Sequence, residues 1–225
     1  MRWLWAVVGI VVVLIVSSAC GGSEEEAAPS LSDADLKAIV TMTSEGLPWQ
    51  IAFQNDAITS NAQAAQTFMD PQKWLKSYEE WGRTGGHTAT YGAPGGAGAS
   101  LQAQVEAYGT IDGATKALSA VRDFMTSGEA LLAYTRLGYT DAKIDAMPAS
   151  KIGDDSSAYR LTVSLNGTRF DTLVIVFRRG SVLAQASVGA PPDATDSANV
   201  EAVASQMDGR TRYVLNALQA SSLGS

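Results

Sequence analysis

The sequence predicts an α+β fold: a mainly antiparallel β-sheet covered by helices on both faces, an α/β/α sandwich, behind an N-terminal signal peptide and a short tether. Three observations predict it. Asn166-Gly167 separates two strand-like runs, and Asn-Gly between such runs is the strongest short hairpin signal. Residues 173–177 (LVIVF) are apolar at every position, and an antiparallel strand reads that way only when both of its faces are covered. Amphipathic helical stretches before and after this hairpin supply the cover.

The elements follow in chain order. Residues 32–40 (SDADLKAIV) predict a short capped helix. Its acidic first turn suits the positive end of the helix dipole, and Leu36, Ile39 and Val40 give it an apolar side. Gly46 and Pro48 end it. Residues 49–53 read as a strand, and 56–68 show no clear pattern. Asp70 and Pro71 open a second helix, Asp70 as N-cap and Pro71 at the first helical position, where a missing N–H costs nothing. Trp74, Tyr78 and Trp81 follow at spacings of four and three, so they share one face. Such a row either stacks a sugar or an aromatic ligand or forms the helix's share of the core. These three residues are the candidate ligand-binding row.

Residues 87–91 and 101–108 read as strands joined by the glycine-rich run GAPGGAGAS. In the second strand Leu101, Ala103, Val105 and Ala107 alternate with Gln102, Gln104, Glu106 and Tyr108. One face is therefore buried and the other wet or lightly covered. The glycine-rich run lacks the spacing of a phosphate-binding loop and is read as a plain turn. Residues 111–124 form a helix with Ala114, Leu118, Val121 and Met125 near its period, 127–137 a second helical piece, and 147–157 a loop.

Around Asn166-Gly167 the register can be derived. A two-residue turn sets Leu165 opposite Thr168, Val163 opposite Phe170 and Leu161 opposite Thr172, with Thr162–Asp171 and Ser164–Arg169 on the other face. A turn at Arg179-Gly180 sends the chain back through 182–188. Residues 193–220 supply the last helix, striped by Val200, Val203, Met207, Val214 and Leu218. Gly209 inside it costs roughly 1 kcal/mol against Ala.

The N-terminus carries an address. MRWLWAVVGIVVVLIVSSACGG has a charged start at Arg2, an apolar run over 4–16 and small residues before Cys20. That is the pattern of a secretory signal. The run falls short of the roughly 20 residues needed to cross a hydrocarbon core. Ser18-Ala19-Cys20 resembles the lipobox of bacterial lipoproteins, with Ser17 where that family usually has Leu. The resemblance implies cleavage before Cys20 and a diacylglyceryl thioether on its sulfur, and two acyl chains anchor stably. The alternatives are an uncleaved membrane helix over 3–19 and a plain cleaved signal with a free thiol. Cys20 is the only Cys in the 225 residues, so no disulfide forms within the chain. Residues 21–30 (GGSEEEAAPS) read as a disordered acidic tether. The organisation is then a signal peptide (1–19), a lipidated Cys with its tether (20–30) and one α+β domain (31–225). The expected location is the outer side of the bacterial cytoplasmic membrane, or a periplasmic or outer-membrane face.

Charge and chemistry narrow the function. The formal net charge is −7, and loss of Arg2 makes the mature chain more negative still. Phosphate backbones need clustered Lys and Arg, so nucleic acid is excluded as a partner. For the same reason lipid, not a basic patch, must hold the protein at a membrane. The single His, His87, sits in GGHTATYG without any G-x-S-x-G nucleophile elbow, so no serine triad is expected. One His and one lipidated Cys cannot build a zinc site. Asp154-Asp155, or Asp141 with Asp145, are the only hard-cation candidates, and neither has the ligand series of a calcium loop. Solvated loop acids are the simpler reading. Arg178-Arg179 at a hairpin tip reads as a polar tip rather than an anion site. No metal or cofactor is expected.

The segments WGRTGGHTATYG, VEAYGTIDGATKAL and YRLTVSLNGTRFDTLVIVFRRGSVLAQASV together resemble uncharacterised bacterial lipoproteins over residues 74–188. The shared features are Tyr91, Tyr108 with Gly113-Ala114, and Arg179-Gly180. More distantly the layout is similar to PsbP-like domains, which implies a helix–sheet–helix sandwich used for binding or assembly. It carries no functional residue over. The expected function is a non-catalytic, membrane-anchored lipoprotein that binds a small ligand or a partner protein. A carboxylate-dependent hydrolase and an assembly factor for a membrane complex are the alternatives.

Overall fold

The computed structural model describes residues 27–45, 47, 50–92, 99–192 and 196–223. The signal peptide, Cys20, most of the tether and the middle of the glycine-rich turn lie outside the described residues.

The chain runs α1 (Asp33–Val40), β1 (Ala52–Thr59), α2 (Asn61–Ala65), α3 (Pro71–Glu80), β2 (Arg83–Gly92), β3 (Ser100–Tyr108), α4 (Ile111–Ser127), α5 (Glu129–Arg136), β4 (Thr140–Met147), β5 (Asp155–Leu165), β6 (Thr168–Arg179), β7 (Val182–Ala190) and α6 (Ser197–Leu223). The strands form one antiparallel sheet in the order β1-β2-β3-β7-β6-β5-β4. Two meanders, β1–β3 and β4–β7, therefore meet side by side at β3 and β7, and α4 with α5 connects them. Helices α1 and α6 pack on one face, and α2 to α5 on the other.

The central hairpin has the derived register: Leu165 pairs with Thr168, Val163 with Phe170 and Leu161 with Thr172. Asn166 and Gly167 both hold positive φ, 51° and 77°, as a type I′ turn requires. The LVIVF run divides as its composition demands. Leu173, Ile175 and Phe177 enter the core beneath α1 and α6, while Val174 and Val176 enter the core beneath α4. The fold class read from the sequence is the one observed.

Element ends moved where patterning is weakest. The first strand spans Ala52–Thr59 rather than 49–53, and β4 was not anticipated at all. Both are edge strands: β1 is mostly exposed and has no apolar alternation, while β4 alternates Ala142, Ile144 and Ala146 with Lys143 and Asp145 but over a run too short and too weakly apolar to stand out. Helix α2 was also missed, although Ser60 and Gln63 form a reciprocal capping box at its start. Gly128, at φ 79°, separates α4 from α5. Gly113 has a steric role: a Cβ there would collide with the Trp81 carbonyl, so its absence lets the first turn of α4 close onto the end of α3.

Candidate functional site

The aromatic row lies inside. Trp74, Tyr78 and Trp81 are 3, 2 and 9% exposed and pack with Phe68, Tyr108 and Phe124 in the core on the α2–α5 side. Asp70 fixes the start of α3 by accepting from the Lys73 N–H at 3.0 Å. Phe68 stacks on Trp74 with ring centres 3.6 Å apart, and Tyr78 meets Trp81 edge-on at 6.3 Å. Of the three, Trp74 also lines an open groove of about 340 Å³ between α3 and α5, where Leu132 is 61% exposed.

The more informative surface is the sheet itself. By register, Thr88, Gln104 and Gln185 form one row across β2, β3 and β7. Thr90, Gln102 and Ser187 form the next. Six uncharged polar side chains thus occupy one face of three adjacent strands, the face that α2 to α5 pack upon. On β6 the same two rows end in Val176 and Val174, which belong to the core under α4. A position of this kind ordinarily holds apolar residues, because buried polar groups cost free energy unless they are hydrogen-bonded. Gln185 and Ser187 are buried, and the other four are half-buried. Part of the demand is met locally: the Gln185 amide donates to Ser187 Oγ at 2.9 Å, and the Gln104 amide to Glu106 Oε1 at 3.4 Å. Gln102 Oε1 is buried and has no donor among the described residues.

At one end of this floor lies a buried ion pair. Arg83 Nε stands 3.2 Å from Glu106 Oε1, close enough for charge pairing but not aligned as a hydrogen bond. The guanidinium instead donates through Nη1 to Asn61 Oδ1 (2.9 Å) and the Thr59 carbonyl (3.2 Å), and through Nη2 to Thr59 Oγ1 (3.1 Å). It also lies 4.9 Å from the Tyr78 ring centre, a cation–π distance. Glu106 Oε2 accepts from the Tyr108 hydroxyl at 2.7 Å. Burial pulls the Arg83 pKa down, but the Glu106 charge and the Tyr108 and Tyr78 hydroxyls outweigh it and leave it raised. Burial, with the Glu106 charge beside them, pushes both tyrosines far up. Arg83 therefore stays charged and the two tyrosines stay neutral, and the floor beside them is built of uncharged side chains.

The other sequence candidates lie elsewhere. His87 points to the opposite face, its Nε2 3.2 Å from Asp56 Oδ2, which also meets Lys37 Nζ at 2.6 Å. Asp154 accepts from Arg178, Arg179 and the Gly180 N–H. Asp155 pairs with Arg122 and Asp145 with Lys143, while Asp141 accepts from Thr140 Oγ1. Among the described residues, no three His, Cys, Asp or Glu side chains gather as a metal site would require. Arg179 at the hairpin tip grips Asp208 of α6 with two parallel bonds of 2.8 and 2.7 Å. The structure brings none of these candidates to the polar floor. The floor was half legible in advance: the alternation of 101–108 announces a wet or lightly covered face. Gln185 and Ser187 complete it through the pairing of β7 with β3, which no single strand's pattern carries.

No protein-family model matches the chain, and no curated protein matches it. Among solved structures, the chain is similar to the extracellular domain of PknH from Mycobacterium tuberculosis, at 11% identity and a TM-score of 0.49, over 81% of this chain and 97% of that one. A likeness of that degree transfers nothing to this protein. Among the described residues no helix is long and apolar enough to cross a membrane.

Proposed function

We propose that this chain is an extracytoplasmic lipoprotein, held at a membrane through Cys20, whose domain binds a small neutral ligand on the polar floor of its sheet without catalysis. The observation that carries the ligand is Gln102. A buried carbonyl oxygen without a donor costs about 1–3 kcal/mol, and a ligand O–H or N–H placed there would recover it. The neighbouring amides and hydroxyls each both donate and accept, which matches the hydroxyls of a sugar or other polyol. The compensated charge of Glu106 supports a neutral ligand over an ionic one.

The site is tested by following backbone amide shifts of the protein during titration with neutral mono- and disaccharides. Saturable shifts grouped on β2, β3 and β7 are the expected result. Saturable shifts confined to another surface, or binding by charged ligands alone, would refute the assignment. The anchor is tested by mass spectrometry of membrane-extracted protein. The wild-type chain should carry the mass of a diacylglyceryl group on Cys20, and Cys20→Ala should lose it and leave the membrane fraction. A Cys20→Ala chain that stays with membranes at the uncleaved mass supports the N-terminal membrane helix instead.

A further inference from the structure

A second groove, of about 330 Å³, lies on the other face of the molecule between α1 and the C-terminal half of α6. Its character is set by Arg210. Arg83, Arg122, Arg160, Arg169, Arg178, Arg179 and Arg212 each have a carboxylate partner. Arg210 is half-buried and has none among the described residues; its one hydrogen bond is a long 3.4 Å contact to the Ala38 carbonyl. Burial lowers its pKa, which is the mark of a cation short of compensation. Arg136 also lacks an acid, but it is exposed and meets only Met69 Sδ; Arg210 is the half-buried guanidinium without one among the described residues. Asp35 also lines the groove, its Oδ2 accepting from the Ser32 N–H and hydroxyl as the cap of α1, and it forms no ion pair with Arg210. Beyond Arg210 the lining turns apolar along one side of α6, through Val214, Ala217 and Leu218, with Tyr213 standing 77% exposed at its edge.

We infer that this groove seats a long-chain carboxylate, its head group on Arg210 and its hydrocarbon along Val214, Ala217 and Leu218. A guanidinium offers a fixed pair of donors to such a head group, and a bare anion would leave the apolar wall unused. The seat faces away from the polar floor, so the two sites stand or fall separately.

The test uses the full-length protein, as extracted from membranes, in phosphatidylcholine nanodiscs. It is exposed to a diazirine-bearing fatty acid, or to a trimethylammonium amphiphile with the same chain, and cross-links are mapped by mass spectrometry. The fatty acid should label residues 35–38 and 210–221. Arg210→Gln should cut that labelling about tenfold, the size of a lost charged hydrogen bond. Ala217→Phe, at an exposed position on the wall, should cut it equally by filling the groove without altering the charge. Thermal melting of both variants confirms that each is folded. Equal labelling by the ammonium probe would show apolar adsorption and overturn the inference. So would labelling untouched by both variants, or labelling concentrated elsewhere.

Discussion

Arg83 and Glu106 make the sharpest statement about individual residues. Two charges taken out of water are tolerable only together, so removing one leaves the other buried and uncompensated. Glu106→Gln should therefore lower the unfolding free energy by about 3–5 kcal/mol in urea titration, whereas replacing both residues with apolar ones of similar volume should cost far less. A single-variant loss below about 1 kcal/mol would mean that the pair is solvated rather than buried. The polar alternation of Gln102, Gln104 and Glu106 was readable from the strand itself. The pairing of Glu106 with Arg83 was not, because a register shift between Arg83 and Gly85 decides which side chains face each other. Single-strand alternation cannot foresee such a shift.

Glycines in two helices predict opposite outcomes at the scale of the element. Gly209 lies within α6 with open space where a Cβ would go, so Gly209→Ala should stabilise the protein by about 1 kcal/mol through helix propensity alone. Gly113 sits against the Trp81 carbonyl, so Gly113→Ala must push α4 off the end of α3 and should cost about 1–3 kcal/mol. Melting temperatures that rise for the first and fall for the second fit this packing; the reverse order would contradict it. Elements with a strong period, α3, α4, α6 and the β5–β6 hairpin, were legible from sequence. The edges were less so: β1 is legible only as a short strand over 49–53 because most of it is exposed, and β4 not at all because its half-buried Ala142 and Ile144 make too short an apolar face. The aromatic row of α3 was legible as a row, but sequence spacing gave no means of deciding between core and ligand. Its burial beside Tyr108 and Phe124 makes it part of the wall that holds the Arg83–Glu106 pair.

Ion pairs tie the helices to the sheet across the whole molecule. Lys37 of α1 holds Asp56, Arg122 of α4 holds Asp155, and Asp208 of α6 is held by Arg179. The Lys37 hydrogen bond, with His87 behind it, keeps the Asp56 carboxyl below its ordinary value of 3.8, and the Arg122 hydrogen bond does the same for Asp155. For Asp208 burial pushes upward, but the Arg179 fork and Arg212 outweigh it and the net shift is again downward from 3.8. An acid whose pKa falls on folding adds stability above its unfolded value, and that stability is lost as pH drops through the folded value. The unfolding free energy should thus be level near neutrality and fall with acid below about pH 4, and Asp208→Asn should flatten that fall. An acid limb unchanged by Asp208→Asn would show that the Arg179 tie contributes nothing measurable.

Gln102→Leu separates a polar floor kept for binding from one kept for folding. If this floor exists to bind, the leucine variant should unfold at the same or a higher urea concentration than the wild type while losing saturable binding of the neutral ligand. Function would then have been holding a buried acceptor that folding does not need. A variant destabilised by more than about 2 kcal/mol with ligand binding intact would show that Gln102 serves the fold, and the assignment of the floor as a binding site would be wrong.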